Sequence, residues 1–248
     1  MELLEWNASV YDSLPLPHTR WGAAAIGRLA LSGDQTVVDV GCGTGRDAEQ
    51  LLAVLPRGRV IAVDGSRQML RQLTARLGDQ GDRLRVVQAD LRQPLELGEQ
   101  ADAALSVATL HWLPDHDVVF RSVARALRPG GRFVAEAGGF GNIAEFRRAV
   151  AAVGGDTGEA LWNFADAETT AARLGAAGFT DIATRLVADP ARLERGEQLE
   201  TYLATVMLGA QLRELPMSEQ RPFVRAVADQ LAEPVIDYVR LQLSAVRR

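Results

Sequence analysis

Three glycines at alternate positions, in Val37-Val38-Asp39-Val40-Gly41-Cys42-Gly43-Thr44-Gly45, are the sharpest chemical signal in this chain. A short β-branched run leads into them and a helical stretch follows. Glycine has no Cβ, so such a loop turns tightly and its backbone can lie close to a ligand. The helix N-terminus behind it offers unpaired N–H groups and partial positive charge, which suit an anionic group. A glycine-rich turn by itself is also ordinary punctuation, so spacing has to decide. A dinucleotide site wants Gly-x-Gly-x-x-Gly, with the second glycine at a pyrophosphate. Here the spacing is Gly-x-Gly-x-Gly, then Arg46-Asp47, and no Gly-Lys-Ser/Thr of a phosphate loop follows. The ligand this predicts is a nucleoside carrying a carboxylate, without a pyrophosphate.

Two carboxylates extend that reading. Asp64 closes the run Arg59-Val60-Ile61-Ala62-Val63-Asp64, with Gly65 after it. An acid at that strand end can accept hydrogen bonds from both hydroxyls of a ribose, or it can simply cap a helix. Asp90, in Gln88-Ala89-Asp90-Leu91, could accept a bond from an adenine amino group or serve as a turn residue. His111 follows a further strand on the edge where sheet ligands bind, and it is the candidate general base if the reaction needs one. Beside Trp112 it could equally be a packing histidine. His116 reads as a helix-start residue and His18 as part of a cap. Trp6, Tyr11, Trp21, Trp112, Phe140 and Trp162 fall outside the expected strands. Most suit packing, while some could wall an acceptor pocket or face a cation. Cys42 has no histidine assigned to it, so a nucleophilic role is not expected. Three histidines and one cysteine give no metal-ligand spacing.

The elements that must hold these residues alternate strand and helix from about residue 35 to 137. Strands are expected at 36–40, 59–64, 84–88, 101–107 and 132–137, the last after the turn Pro129-Gly130-Gly131. Helices are expected at 46–55, 67–77 and 114–127. Met69, Leu70, Leu73 and Leu77 have the spacing of one helix face. Strands buried on both faces and separated by helices imply a doubly wound, Rossmann-like α/β fold with a mostly parallel sheet. Beyond Ala137 helical material runs to about 153, then a helix from Asp166 to Ala177 stopped by Gly178. A strand at 180–187, helices at 198–208 and 218–232, and a final strand at 235–244 complete seven strands. The late helices are expected over the ligand edge of the sheet. Residues 1–33 read as a helical cap broken at Pro15 and Pro17, residues 34–137 as the core, and 138–248 as lid helices with the last strands, all in one domain.

Composition narrows the function classes. The chain has 248 residues, 47% hydrophobic and 24% charged, which suits a soluble globular protein. No apolar run approaches the ~18 residues of a membrane span, and Met1-Glu2-Leu3-Leu4-Glu5 lacks the order of a signal peptide. One cysteine excludes an internal disulfide framework, so a cytoplasmic setting is expected. A net charge of −5, with arginines alternating with acids, argues against a nucleic-acid partner.

Taken together, Asp39-Val40-Gly41-Cys42-Gly43-Thr44-Gly45, Asp64 with Ser66 and Met69, and Ala89-Asp90-Leu91 resemble the successive motifs of class I S-adenosylmethionine (SAM)-dependent methyltransferases. Arg128-Pro129-Gly130-Gly131 resembles the turn before their fifth strand. Trp6-Asn7-Ala8-Ser9-Val10-Tyr11 and His111-Trp112-Leu113-Pro114-Asp115-His116 are further similar to the trans-aconitate methyltransferase group. The resemblance implies SAM as cofactor and S-adenosylhomocysteine as product. Gly41, Gly43 and Gly45 would line the methionine part, with Asp39 also among the cofactor-binding residues. Asp64 and Gly65 would hold the ribose, Met69 would flank the adenine, and Ala89, Asp90 and Leu91 would cover its edge. Val107 would meet the cofactor near its sulfur, where relatives often carry a polar residue such as Asn. Tyr11, Trp21, Trp112 and Phe140 would form the acceptor site, with His111 as its catalytic candidate. The expected reaction is methyl transfer to an oxygen of a small organic acid or natural-product-like metabolite. N- or C-methylation, a non-catalytic SAM-binding module and, more remotely, an NAD-dependent oxidoreductase are the alternatives.

Overall fold

Runs of Val, Ile and Ala that are buried on both faces can be satisfied only in the middle of a sheet covered by helices on both sides. The computed structural model, which describes residues 18–248, builds that sheet. Its strands are β1 (Thr36–Val40), β2 (Arg59–Asp64), β3 (Leu84–Gln88), β4 (Ala101–Val107), β5 (Leu127–Gly138), β6 (Phe179–Ala188) and β9 (Val239–Arg247). They lie in the order β3-β2-β1-β4-β5-β9-β6. β1 to β5 are parallel and β9 runs antiparallel between β5 and β6. The chain winds outward from β1 to β3, then returns to β4 on the other side of β1. That reversal opens a crevice at the carboxyl ends of β1 and β4, where open α/β sheets bind ligands.

On one face pack α1 (His18–Leu29), α2 (Arg46–Val54) and α3 (Arg67–Leu77), through buried residues such as Trp21, Ala25, Leu51 and Leu73. On the other lie α4 (His116–Ala126) and α6 (Ala167–Ala176), through Phe120, Val123 and Leu174. Three of these helices start where a side chain satisfies one of the first amides. Ser66, Asp115 and Asp166 cap α3, α4 and α6 by accepting from the backbone N–H of Met69, Asp117 and Thr169. Because Asp115 is the cap, α4 begins at His116, two residues later than its apolar spacing implies.

α5 (Ala144–Ala152) follows β5. Residues 189–238 are inserted between the neighbours β6 and β9. They form α7 (Glu197–Tyr202), a π-helical turn at Leu203–Met207, α8 (Gly209–Glu214), α9 (Met217–Gln230) and a ribbon of β7 (Ala191–Arg192) with β8 (Val235–Ile236). The expected helix at 198–208 is thus two shorter pieces, α7 and the π-helical turn, and α8 follows beyond it. The expected final strand is two: β8 pairs with β7, and β9 joins the main sheet. The alternation changes phase where Tyr238 and Val239 adjoin, which is where the chain passes from one sheet to the other. Pro129-Gly130-Gly131 sits inside β5 rather than before it, at a register shift against Ala101 and Ala103 of β4. Trp6, Tyr11, Pro15 and Pro17 lie outside the described residues. Among the described residues no helix is long and apolar enough to cross a membrane.

Candidate cofactor and acceptor site

The carboxyl ends of β1, β2 and β4 open into a cavity of about 510 Å³, within the size range of small-molecule sites. Its first wall is the loop after β1. Gly41 N and Cys42 N both donate to Val63 O, at 2.8 and 3.0 Å, which folds the loop across the end of β2. Gly41, Gly43 and Gly45 all have positive φ, at 82°, 52° and 84°. Their surroundings differ. A Cβ on Gly41 would lie 2.1 Å from Thr109 Oγ1, and one on Gly45 would lie 2.7 Å from Leu73 Cγ, whereas one on Gly43 would meet nothing within 4 Å. Gly41 and Gly45 are therefore close-packing glycines, and Gly43 is the one whose missing side chain leaves ligand space. Gly45 itself lies behind the cavity lining.

Asp64 joins this loop to the next. Its Oδ2 accepts from Gly43 N and its Oδ1 from Ser66 N, both at 2.9 Å, and the residue lines the cavity with Gly65 and Met69. A carboxylate at this place is of the acceptor type that ribose hydroxyls require. Asp90 also lines the cavity, but Arg92 grips it. Arg92 Nε lies 2.9 and 3.1 Å from its two oxygens, and Arg92 Nη2 lies 2.8 Å from Oδ2. This guanidinium, above all other causes, holds the Asp90 carboxyl below its ordinary range. An adenine amino group would have to share those oxygens with Arg92, a partner that the strand-end reading of Asp90 does not include. Leu91 lines the cavity; Ala89 lies outside the lining and donates its N–H to Asp64 O at 3.0 Å.

Beneath the loop, Asp39 is 1% exposed. Among the described residues its Oδ2 has no hydrogen-bond partner, nor has Oδ1 of Asp47. Asp47 lines the cavity, and its Oδ1 is enclosed where a Cβ on Gly22 of α1 would lie only 1.8 Å away. Burial, with Asp47 and Asp64 as neighbouring acids, pushes the Asp39 carboxyl well up. Burial also raises Asp47 to about 7, against an opposing pull from Arg46. Two desolvated carboxyls in want of a donor suit a ligand that brings a cationic amine to this end of the site. The α-ammonium of a methionine moiety is such a group, so these residues fit SAM. Burial likewise pushes the Cys42 thiol well up, which disfavours the thiolate.

The second wall leaves β4 at Val107, passes Ala108 at φ 55°, and reaches a 3-10 turn at Leu110–Trp112. Val107, Thr109, His111 and Trp112 all line the cavity. His111 Nδ1 accepts from Gly138 N at 3.3 Å, and its ring stacks on Phe164 with centroids 6.0 Å apart. Trp112 and Trp162 follow at 6.0 Å. Trp21 reaches the same space from α1. Phe140 does not: it is 67% exposed and outside the cavity, because Gly139 and Gly141 carry the chain round a surface turn there. Tyr11 is outside the described residues. His116 is 1% exposed with Nε2 2.9 Å from Leu110 O, and burial lowers its pKa, so it packs α4 against the turn.

A methyltransferase-domain family model matches residues 37–131. Over that stretch the chain is similar to methyltransferase domains. It is 34% identical over 126 residues to the trans-aconitate 2-methyltransferase of Azoarcus sp. (strain BH72), a match covering 51% of this chain and 48% of that protein. The chain thus spans about half the length of the curated relatives it matches. Among solved structures, it is similar to the YcgJ protein of Bacillus subtilis, with TM-score 0.67 and 15% identity over 93% of this chain and 99% of that one. It also resembles phosphoethanolamine N-methyltransferase 2 of Haemonchus contortus, solved with S-adenosyl-L-methionine. That TM-score is 0.62 and the identity 21%, covering 92% of this chain and 52% of the other. At those identities the structures show the fold alone.

Several residues of this cavity have no local sequence signal. Thr109 wedges against Gly41, with its Oγ1 3.1 Å from Gly41 O. Asn142, Tyr238 and Arg240 enter the lining from elements distant in sequence. Asp47 could have been found, since it stands two residues after the last motif glycine on the cavity side of α2.

Asp47 supports a pH prediction. Its carboxyl is raised in the fold, so the unfolded chain releases that proton at lower pH than the folded one. The associated stability is full below the unfolded value of about 3.9 and is lost as pH rises towards 7. Asp47→Asn is therefore expected to raise the melting temperature of the SAM-free protein at pH 7.5, by a few degrees, and much less at pH 4.5. Equal melting temperatures of variant and parent at both values would refute this.

Proposed function

We propose that this protein is a SAM-dependent methyltransferase that esterifies a carboxylate oxygen of a small organic acid. When bound, SAM supplies an activated methyl group on a sulfonium sulfur. The protein's share is then to align acceptor and donor and exclude water, which can provide much of the rate. Gly43 leaves room for the methionine part, Asp64 offers acceptor atoms to the ribose, and Met69 and Leu91 give the adenine an apolar seat. Asp47 meets the ammonium, with the buried Asp39 behind the loop beside it.

The observation that carries the acceptor class is the hydrogen bond from Gly138 N to His111 Nδ1. A neutral imidazole that accepts on Nδ1 carries its proton on Nε2. In that tautomer the ring is a donor towards an acceptor rather than a base. An ionised carboxylate needs no base, and a donor would help to orient it; an alcohol, phenol or carbon acid would need proton removal. The similarity to a trans-aconitate 2-methyltransferase points the same way.

Incubation with methyl-labelled SAM and a panel of small acids tests this. Label that alkali releases as methanol marks an ester. Alkali-stable label on an amine or carbon would establish N- or C-methylation instead, and SAM binding without turnover of any acceptor would favour a regulatory module. His111→Gln keeps a polar donor and is expected to cost less than about tenfold in turnover, with no new acidic limb. A loss of roughly 10²–10⁴-fold would mean a missing general base and would sink the carboxylate reading.

A further inference from the structure

Asn142 stands in the turn between β5 and α5 and lines the cavity while only 5% exposed. The backbone holds this turn in place. Gly139 N donates to Val239 O at 2.9 Å, Asn142 N to Gly139 O at 2.9 Å and Ile143 N to Asp237 O at 3.0 Å. The side chain is oriented as well, because Val239 N donates to Asn142 Oδ1 at 2.8 Å. A backbone N–H can only donate, so the amide oxygen must face Val239 and the NH2 group must face away from it. Among the described residues Asn142 Nδ2 has no hydrogen-bond partner. A buried amide donor is costly until something accepts from it.

Gly138 ties this donor to the reacting end of the cavity. A Cβ on Gly138 would lie 2.8 Å from Asn142 Nδ2 and 2.8 Å from Phe164 Cε1. The same glycine donates its N–H to His111 Nδ1, and Phe164 stacks on the His111 ring. The amide donor and the imidazole thus share one neighbour, at the carboxyl end of β5 beside β4. The glycine loop, Asp64 and Asp90 stand at the ends of β1, β2 and β3, so the cofactor would fill the other half of the crevice. Lone pairs decide what a fixed NH2 group can serve here. An amine nucleophile has one lone pair, which the methyl carbon takes, and nothing is left for an amide donor. A carboxylate has two oxygens with about four lone-pair sites, so one oxygen can accept while the other attacks.

Resting on the proposed carboxylate methylation, we infer that Asn142 binds the acceptor: its Nδ2 donates to one carboxylate oxygen and leaves the other to attack the methyl carbon. The new O–C bond forms as the C–S bond breaks, the electron pair of that bond stays on sulfur, and no proton moves. The carboxylate becomes an ester and the sulfonium a thioether. Asn142 Oδ1 stays on Val239 N throughout, so the donor is already oriented when the acceptor arrives.

Calorimetry on protein saturated with S-adenosylhomocysteine tests this without turnover, using trans-aconitate, cinnamate and indole-3-acetate as carboxylate probes. At least one is expected to bind the parent saturably. Asn142→Ala removes the donor and should weaken that acid about tenfold, the loss of one hydrogen bond to a charged group. Asn142→Asp puts a like charge in the donor's place and should weaken the acid more than Asn142→Ala does. A purely structural Asn142 predicts the reverse order, because aspartate keeps the bond from Val239 N and alanine loses it. S-adenosylhomocysteine affinity should stay as in the parent, since other residues hold the cofactor half. If either variant fails to fold, the side-chain amide signal of Asn142 in isotope-labelled parent protein carries the test by nuclear magnetic resonance, and it should shift as the acid saturates the site. The inference is overturned if no probe acid binds, if Asn142→Asp binds the acid as tightly as the parent, or if the amide signal does not move. In any of those events, an alkali-labile ester from labelled SAM would leave carboxylate methylation standing. Alkali-stable label on an amine or carbon would instead remove the reading beneath the inference.

Discussion

Gly43→Val is expected to abolish measurable SAM binding in a protein that remains folded. Two effects add. At φ 52° a β-branched residue is strained, and its methyl groups would project into open space at a loop position that lines the cavity. Overfilling a formed pocket costs about 1–3 kcal/mol or more, and with the backbone strain this corresponds to a loss of roughly 100-fold or greater. Gly43→Ala should lose less, since alanine brings only one carbon. Gly41→Ala and Gly45→Ala should instead lower the melting temperature, because their Cβ atoms would strike Thr109 and Leu73. Undiminished affinity of a folded Gly43→Val in calorimetry would refute the placement of the cofactor.

Asp64→Ala should weaken SAM by roughly 1.5–3 kcal/mol, the range for lost hydrogen bonds to a charged group. That is about tenfold to a hundredfold in affinity. The loss has two sources that Asp64→Asn can separate. The carboxylate would take the ribose hydroxyls, and it also receives Gly43 N and Ser66 N, so it sets the shape of the glycine loop. Asparagine keeps one acceptor oxygen and should retain part of the affinity. NAD should show no saturable binding to the parent protein, as the Gly-x-Gly-x-Gly spacing leaves no third dinucleotide glycine. Tight NAD binding without SAM binding would overturn the cofactor assignment.

The cofactor half of the site was legible because its residues are local. A strand, a tight turn and a helix lie within twenty residues, and each motif sits at the carboxyl end of its own strand. Even so, local reading could not tell Gly43 from Gly41 and Gly45, because the distinction lies in what stands opposite: Thr109 comes from the loop after β4 and Leu73 from α3. It likewise placed Asp90 at the right strand end without its grip by Arg92. Phe140 looked like an acceptor residue from composition, yet the turn that carries it faces solvent.

The order of strands and helices, the glycine loop and the acids at the ends of β1, β2 and β3 followed from the sequence, since period, β-branching and turn chemistry act over a few residues. The acceptor end was decided by tertiary structure. Arg240 reads as one more polar residue in a late strand until β9 inserts antiparallel between β5 and β6 and sets it opposite Gly138. The tautomer of His111 depends on that same Gly138, 27 residues further along the chain. Burial and charge sharing among Arg28, Glu136 and Arg240 arise only when α1, β5 and β9 meet. Nothing within any one of those segments encodes their distance, and distance is what makes three separate charges one buried cluster.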